Sequence, residues 1–172
     1  ITCNAPYVIS PERRWQYRDA GFPGDEFSRS VVTSAARHLA EDGFAAVNVS
    51  WLAASSDQPD EHVRAWLEGT GCDAWILASI ETDALEHASS WNSTFFADAG
   101  TYASVLEQWT RYLRDLGASG VAEGAILLHR RKGKTTLRVD EIDEDTLEDA
   151  DAQIRRAFAN RTTKDLRDVR LA

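Results

Sequence analysis

The sequence predicts an α/β fold built on a mostly parallel sheet. Two observations carry this. The apolar runs "FAAVNVSWL", "DAWILASI" and "VAEGAILLHRR" have the length and the β-branched and aromatic content of buried strands. Between them, apolar residues recur at three- and four-residue spacing, the stripe of a helix that packs on a sheet. Strands alternating with helices favour parallel pairing with helices on the faces. A chain of 172 residues suits one domain or a large part of one. At that length folding buries roughly 70% of the extended surface, enough for a real core.

Residues 1–3 have the character of the tail of a strand. A loop rich in Pro, Gly, Arg and aromatics runs from there to residue 25. Loops of that length inside a compact domain are usually functional or disordered. Asp25 is a candidate cap for a helix whose inner face carries Phe27, Val31, Ala35 and Leu39, and Gly43 stands where a left-handed residue would end it. The strand "FAAVNVSWL" follows. Asp57 to Glu68 predicts a second helix, with Pro59 in its first turn and Val63, Trp66 and Leu67 facing inward. After the strand "DAWILASI", residues 83–98 predict irregular helix. Thr101 to Leu116 gives the clearest stripe: Tyr102, Val105, Leu106, Trp109, Tyr112, Leu113 and Leu116. The strand "VAEGAILLHRR", a short strand at "TTLRV" and a last helix marked by Leu147, Ala150, Ile154 and Phe158 complete the chain.

Hydrophobic content of 43% and charged content of 27% are ordinary for a soluble domain. The net charge of −9 gives no general attraction to phosphate backbones, so a nucleic-acid partner would need a local basic patch. Part of the acidity sits in one run, Asp140 to Asp151, which lacks the glycine and ligand spacing of a calcium loop and fits a solvated face. Cys3 and Cys72 form no disulfide framework or metal spacing and lie beside apolar runs, as buried inert thiols do. No apolar run reaches membrane-spanning length, and the reading that follows is of a cytoplasmic protein.

Asn4-Ala5-Pro6-Tyr7 is the stretch that carries chemistry. It follows a strand directly and opens the long loop, and ligands of open α/β sheets bind beyond the carboxyl ends of strands. The Asn4 side chain and the Ala5 backbone each offer a carbonyl acceptor. Pro6 fixes its own φ and pushes Ala5 towards an extended conformation. Two acceptors in a rigid turn, with the flat ring of Tyr7 beside them, suit a planar –NH2 group. Each takes one N–H, and charge that develops on nitrogen is stabilised. Asn and Pro also serve in turns with no chemistry.

These residues resemble the Asn/Asp-Pro-Pro-Tyr motif of S-adenosylmethionine-dependent methyltransferases that modify exocyclic amines or glutamine amides. The likeness continues through "YRDAG", "GDEFSR", "LAEDG", "GCDAWIL" and "GAILLHRR", in the order of a small-domain or release-factor glutamine methyltransferase of actinobacterial type. It covers residues 1–133; residues 134–172 match less clearly and are expected to form an acidic C-terminal extension with a helix. The departure is Ala5 where the family usually has Pro, which keeps the carbonyl and loses some rigidity.

The resemblance implies the C-terminal part of a Rossmann-like class I sheet, strands four to seven, with the last pair antiparallel and a helical insertion over residues 83–116. It implies that Asn4 orients the amine and borders the cofactor, that Ala5 and Pro6 shape the turn, and that Tyr7 packs the acceptor plane. It implies S-adenosylmethionine as cofactor, with the glycine-rich loop and the ribose-binding acid upstream of Ile1. Residues 1–172 alone would then hold the cofactor weakly, and the edge at residues 1–3 would be disordered, covered by the C-terminal tail, or paired with another copy. Trp15, Arg18 and Asp19 in the long loop are candidate substrate contacts, with a local ion pair the alternative for the last two. The acceptor is a protein or small molecule with a planar amino group; the acidic balance disfavours nucleic acid.

Other chemistries are absent from the pattern. "LEGTGCDAW" mimics a cofactor glycine loop, but a helix precedes it and a strand follows, the reverse of what such a loop needs, so Gly69 and Gly71 mark a helix stop and turn. There is no Gly-x-Ser-x-Gly elbow or phosphate loop. His38, His62, His87 and His129 are scattered, and Trp51, Trp66, Trp75 and Trp109 fall on apolar faces as core. The alternative function is a non-catalytic domain that binds a partner on a degenerate methyltransferase fold.

Overall fold

The computed structural model describes residues 1–15, 17–54, 60–142 and 150–160. Strand β1 (Thr2–Asn4) leads through the long loop to helix α1 (Glu26–His38), then β2 (Phe44–Ala53), α2 (Glu61–Leu67) and β3 (Cys72–Asp83). Helix α3 (Ala84–Trp91), a 3-10 turn at Ser93–Phe95 and α4 (Ala99–Asp115) precede β4 (Gly120–Arg130), β5 (Leu137–Glu141) and α5 (Asp151–Asn160). The predicted Asp57 and Pro59 of the second helix, and Leu147 of the last, lie outside the described residues.

The five strands form one sheet in the order β1-β2-β4-β3-β5. β1 with β2 and β3 with β5 are parallel, while β4 runs antiparallel between β2 and β3. The sheet is therefore mixed, which corrects the mostly parallel sheet inferred from alternation. Two long antiparallel ladders, Phe44↔His129 to Ala53↔Gly120 and Cys72↔Arg130 to Asp83↔Gly120, make up most of it. The alternation rule fails because the helices of 84–115 return the chain to the end of the sheet where β3 leaves it, with Gly120 opposite Asp83, so β4 runs back along β3. Gly124 lies opposite Ala78, beside the bulge in β3, where a Cβ would stand 2.1 Å from the Leu77 carbonyl oxygen. Only glycine permits that approach.

Helices cover both faces, as the two-fold alternation of strand side chains requires. On one face Val47, Val49 and Trp51 of β2 join Ile76 of β3 and Ile126 and Leu128 of β4 against α1 and α2. On the other face Leu77, Leu127, Trp75 and Phe44 pack on Ile154 and Phe158 of α5. The remaining end of that face is covered by α4, whose Leu113 meets Leu52, Val121 and Ile9 of the loop. Trp109 of α4 packs on Ala88 and on Val8. The predicted α4 stripe is core in part: Trp109 and Leu113 are buried, Tyr102, Val105, Leu106 and Tyr112 are half-buried, and Leu116, just past the helix, is exposed. β5 and α5, expected in an extension, pack on the same sheet as the rest. Among the described residues no helix is long and apolar enough to cross a membrane.

Local readings are refined at three points. Asp25 occupies the N-cap of α1, but its side chain makes no cap hydrogen bond; its Oδ2 accepts from the Leu52 amide at 2.9 Å. The buried face of α1 is Ser28, Val32, Ala35 and Ala36, rotated from the predicted one, with Phe27 and Val31 half-buried at its margin. The left-handed residue after α1 is Asp42 (φ 58°), not Gly43, whose missing Cβ instead lets the chain pass the Ala40 carbonyl oxygen, 2.8 Å from where that atom would stand. Gly69 and Gly71, both at φ 70°, form the turn after α2 as expected. Cys72 is buried, whereas Cys3 is only half-buried. β1 pairs on one side only among the described residues, leaving Ile1 52% exposed at the sheet edge.

The bend from β3 into α3 is a capped helix start. The Asp83 carboxylate accepts from the amides of Leu85 and Glu86, both at 2.8 Å. Asp83→Ala is expected to cost ~1 kcal/mol, the usual loss for an N-cap. Urea denaturation checks this, and a change under about 0.3 kcal/mol would show that the cap is redundant.

Candidate functional site

The site is built where β1 ends. The ladder with β2 closes at Asn4↔Asn48, and Ala5 leaves the sheet. Asn4 is exposed, and its Oδ1 accepts from Asn48 Nδ2 at 3.3 Å, so the neighbouring strand orients the amide and one lone pair of the oxygen remains for a ligand. Ser50 of β2, fully buried, donates its hydroxyl to the Tyr7 carbonyl and ties the turn to the sheet. Val8 and Ile9 then enter the core, which fixes the exit of the turn as β1 fixes its entry.

A cavity of about 140 Å³ opens beside this turn, lined by Asn4, Ala5, Pro6, Tyr7, Val8, Tyr17, Arg18 and Trp91. All four residues of the motif border one space. A larger cavity of about 470 Å³ lies between the C-terminal ends of α1 and α2, with Arg37, Trp66 and Arg130 among its lining. It sits beyond the opposite end of β2. Its Arg130 donates to the carbonyls of Ala36 and Thr70, so that guanidinium closes helix ends. The smaller cavity has the convergent polar groups at a strand end, and it is the candidate site.

The loop past the motif is held by a buried ionic cluster. Asp19 accepts from the amides of Arg14 (3.0 Å) and Trp15 (2.9 Å), from Ser10 Oγ (3.1 Å) and from Arg18 Nε (2.7 Å). Arg18 also donates to Glu12 Oε2 at 2.6 Å and to the Trp91 carbonyl at 3.2 Å, and its guanidinium lies 5.2 Å from the Trp109 ring centre. Burial alone would raise the Asp19 carboxyl, but the hydrogen bonds from Arg18 and from the Trp15 and Arg14 amides outweigh it and hold the group below the ordinary carboxylate range. The local ion pair, given above as the alternative for Arg18 and Asp19, is thus present. Arg18 still borders the cavity; Asp19 does not. Trp15 is 42% exposed and is not part of the lining.

Val8, Tyr17 and Trp91 are the cavity residues that sequence reasoning missed. Tyr17, at 75% exposure, is an unburied aromatic in a polar loop, and that pattern was visible. Trp91 comes from the end of α3, far along the chain, and only the Arg18 bond to its carbonyl reveals the proximity.

Behind the loop sits His87, 1% exposed, with Nε2 donating to the Ile9 carbonyl at 2.9 Å and Nδ1 4.0 Å from Glu123 Oε1. Burial lowers its pKa below the ordinary 6.5, and the Arg18 charge works in the same direction against the Ile9 hydrogen bond. The unfolded chain therefore takes up a proton, as pH falls below 6.5, that the folded chain resists. The contribution of His87 is complete above that pH and lost below it. His87→Gln keeps a donor for Ile9 and should flatten the fall in stability between neutral pH and pH ~5. Chemical denaturation of both proteins across that range is the check; parallel pH profiles would show that His87 is protonated in the fold.

A second buried acid lies near the top of β2. Burial raises the Asp25 carboxyl above its ordinary range, against the Leu52 amide and His62, whose Nδ1 is 3.6 Å away. With Gly24, whose amide donates to the Tyr112 hydroxyl at 2.8 Å, it closes the loop onto β2 and α4. No protein-family model and no curated protein matches the chain.

Proposed function

We propose that the chain is the acceptor-binding portion of an S-adenosylmethionine-dependent methyltransferase acting on a planar amide or amine nitrogen. The observation that carries the reading is the cavity at the end of β1, bordered by the whole Asn4-Ala5-Pro6-Tyr7 turn. The strand directions support it. β1 and β2 are parallel and β4 runs antiparallel to β3, in keeping with the antiparallel last pair implied by the resemblance, and α3 and α4 fall where the insertion was expected.

When bound, the cofactor would supply an electrophilic methyl group on a positively charged sulfur, which would keep the electron pair of the broken S–C bond and leave neutral. The described residues fit only the acceptor side of that reaction. They contain no glycine-rich turn from strand to helix, so this reading places the main cofactor site outside them. Asn4 Oδ1 and the Ala5 carbonyl would accept the two N–H bonds of the amine and turn its lone pair out of plane. Positive charge that grows on nitrogen during transfer would lie beside these two oxygens and would be relieved when the nitrogen gives a proton to water. Tyr7 covers one side of the acceptor plane. The Asn48 amide fixes the Asn4 rotamer, so little reorganisation is needed during reaction.

Asn48→Ala tests that positioning role. It should lower the rate by a smaller factor than loss of Asn4 itself, with the larger change in kcat, because the contact orients Asn4 and does not touch the acceptor. An effect confined to KM would show that Asn48 binds the acceptor directly.

A further inference from the structure

The geometry points to a second ligand site, at the end of the sheet opposite Asn4: the cavity between α1 and α2 binds a small monocarboxylate with a flat apolar body. Its volume, about 470 Å³, falls in the ~300–1,000 Å³ range of pockets that take a whole small molecule. The Trp66 ring, Leu39 and Ala36 give it an apolar wall, and Arg37, Arg130 and Glu68 give it charge. It shares no residue with the acceptor turn, so the inference stands whether or not the methyltransferase reading does.

Two donors on this wall lack acceptors among the described residues. Trp66 is 3% exposed, and its Nε1 makes no hydrogen bond. Arg130 donates from Nη2 to the carbonyls of Ala36 and Thr70, but its buried Nε has no partner. A buried donor left unpaired loses its hydration and gains nothing in return, so native structures seldom keep one. Here two such donors belong to side chains that border the same space. Both call for an oxygen acceptor.

The surrounding charge selects the class of acceptor. Arg37 and Arg130 outnumber Glu68 in the lining, which favours a negative ligand over a neutral one. Two acids near Arg130 are engaged elsewhere. Asp73 is held by Arg131 and Thr136. Asp42, whose amide donates to the Arg130 carbonyl, has its carboxylate 3.9 Å from His129. Yet α1 and α2 both end beside the cavity, and helix C-termini carry partial negative charge. The two arginines meet a single negative charge, whereas the helix ends oppose a doubly charged phosphate. The apolar wall matches the body of an organic acid and gives an inorganic ion nothing to pack on.

Titration of the isotope-labelled protein with benzoate, followed by two-dimensional NMR without cofactor or acceptor, tests the site. The Trp66 indole N–H signal, identified by its loss in Trp66→Phe, should shift in a saturable way. Benzamide, the neutral analogue of the same shape, should leave it in place. Trp66→Phe keeps an apolar ring and removes the N–H. It should weaken benzoate roughly tenfold, read from the Gly69 and Thr70 amides, the scale of one hydrogen bond to a charged group. Arg37→Gln, at an exposed position, should weaken it about two- to fivefold. If Trp66→Phe fails to fold, Arg37→Gln and the benzamide comparison still decide. No saturable shift with benzoate, an equal response to benzamide, or binding untouched by the substitutions overturns the proposal. Displacement of benzoate by inorganic phosphate at comparable concentration also overturns it, because the cavity would then be a general anion site.

Discussion

Asn4→Ala is expected to lower methyl transfer by ~10²–10³-fold while leaving the fold unchanged. The size follows from removing one oriented oxygen at which charge develops during reaction. The neutrality for folding follows from position: Asn4 is exposed at the last paired residue of β1, and its one recorded side-chain partner is Asn48. Asn4→Asp should retain more activity than Asn4→Ala, since a carboxylate keeps the acceptor, although it loses the fixed amide geometry. Steady-state kinetics with the natural acceptor, beside circular dichroism of each variant, checks both parts. A folded Asn4→Ala protein with the wild-type rate would remove Asn4 from the site.

Asp19→Ala is expected to destabilise the protein by ~2–4 kcal/mol, the scale for leaving two partly buried backbone amides and one arm of Arg18 without an acceptor. For a chain of this length that lowers Tm by roughly 4–16 °C. The Asp19 side chain is buried and accepts five hydrogen bonds, two of them from the backbone amides of Arg14 and Trp15. Arg18 would keep Glu12 and the Trp91 carbonyl, and so the double variant Arg18→Ala, Asp19→Ala should cost less than the sum of the single ones. A loss below about 1 kcal/mol for Asp19→Ala would show that water replaces the carboxylate without penalty. The sign with pH follows from the lowered Asp19 pKa. Its stabilisation is present above the ordinary carboxylate value of 3.8 and is lost as pH falls through the folded value beneath it.

Several of these features were legible in the sequence for physical reasons. Asn4 stood out because a polar residue ended an apolar strand and Pro6 stiffened what followed. The strands were legible because Val, Ile and Trp in runs of eight to eleven residues fit a two-sided buried ladder, as Val47, Val49 and Trp51 now do. The direction of β4 was not legible in composition, since a buried strand reads the same either way. It came only from the family resemblance. The burial of Asp19 was hidden because adjacent Arg18 and Asp19 look like an exposed pair; their desolvation comes from Ser10, Trp91 and Trp109, which the fold brings to them. The inner face of α1 was misjudged because small residues, Ser28, Ala35 and Ala36, make the close contact with the sheet and carry little hydrophobic signal. Trp91 was unreachable for the same kind of reason: its place in the cavity depends on how α3 folds back over the loop.

The central claim is that this chain directs a methyl group onto a planar nitrogen, and isotope tracing tests it most directly. Cells with and without the gene are grown on methionine labelled in its methyl carbon, and proteins, nucleic acids and small metabolites are compared by mass spectrometry. The account predicts a labelled N-methyl product that requires the gene and disappears with Asn4→Ala. Identical label profiles from the two strains, with the protein expressed and folded, would contradict it.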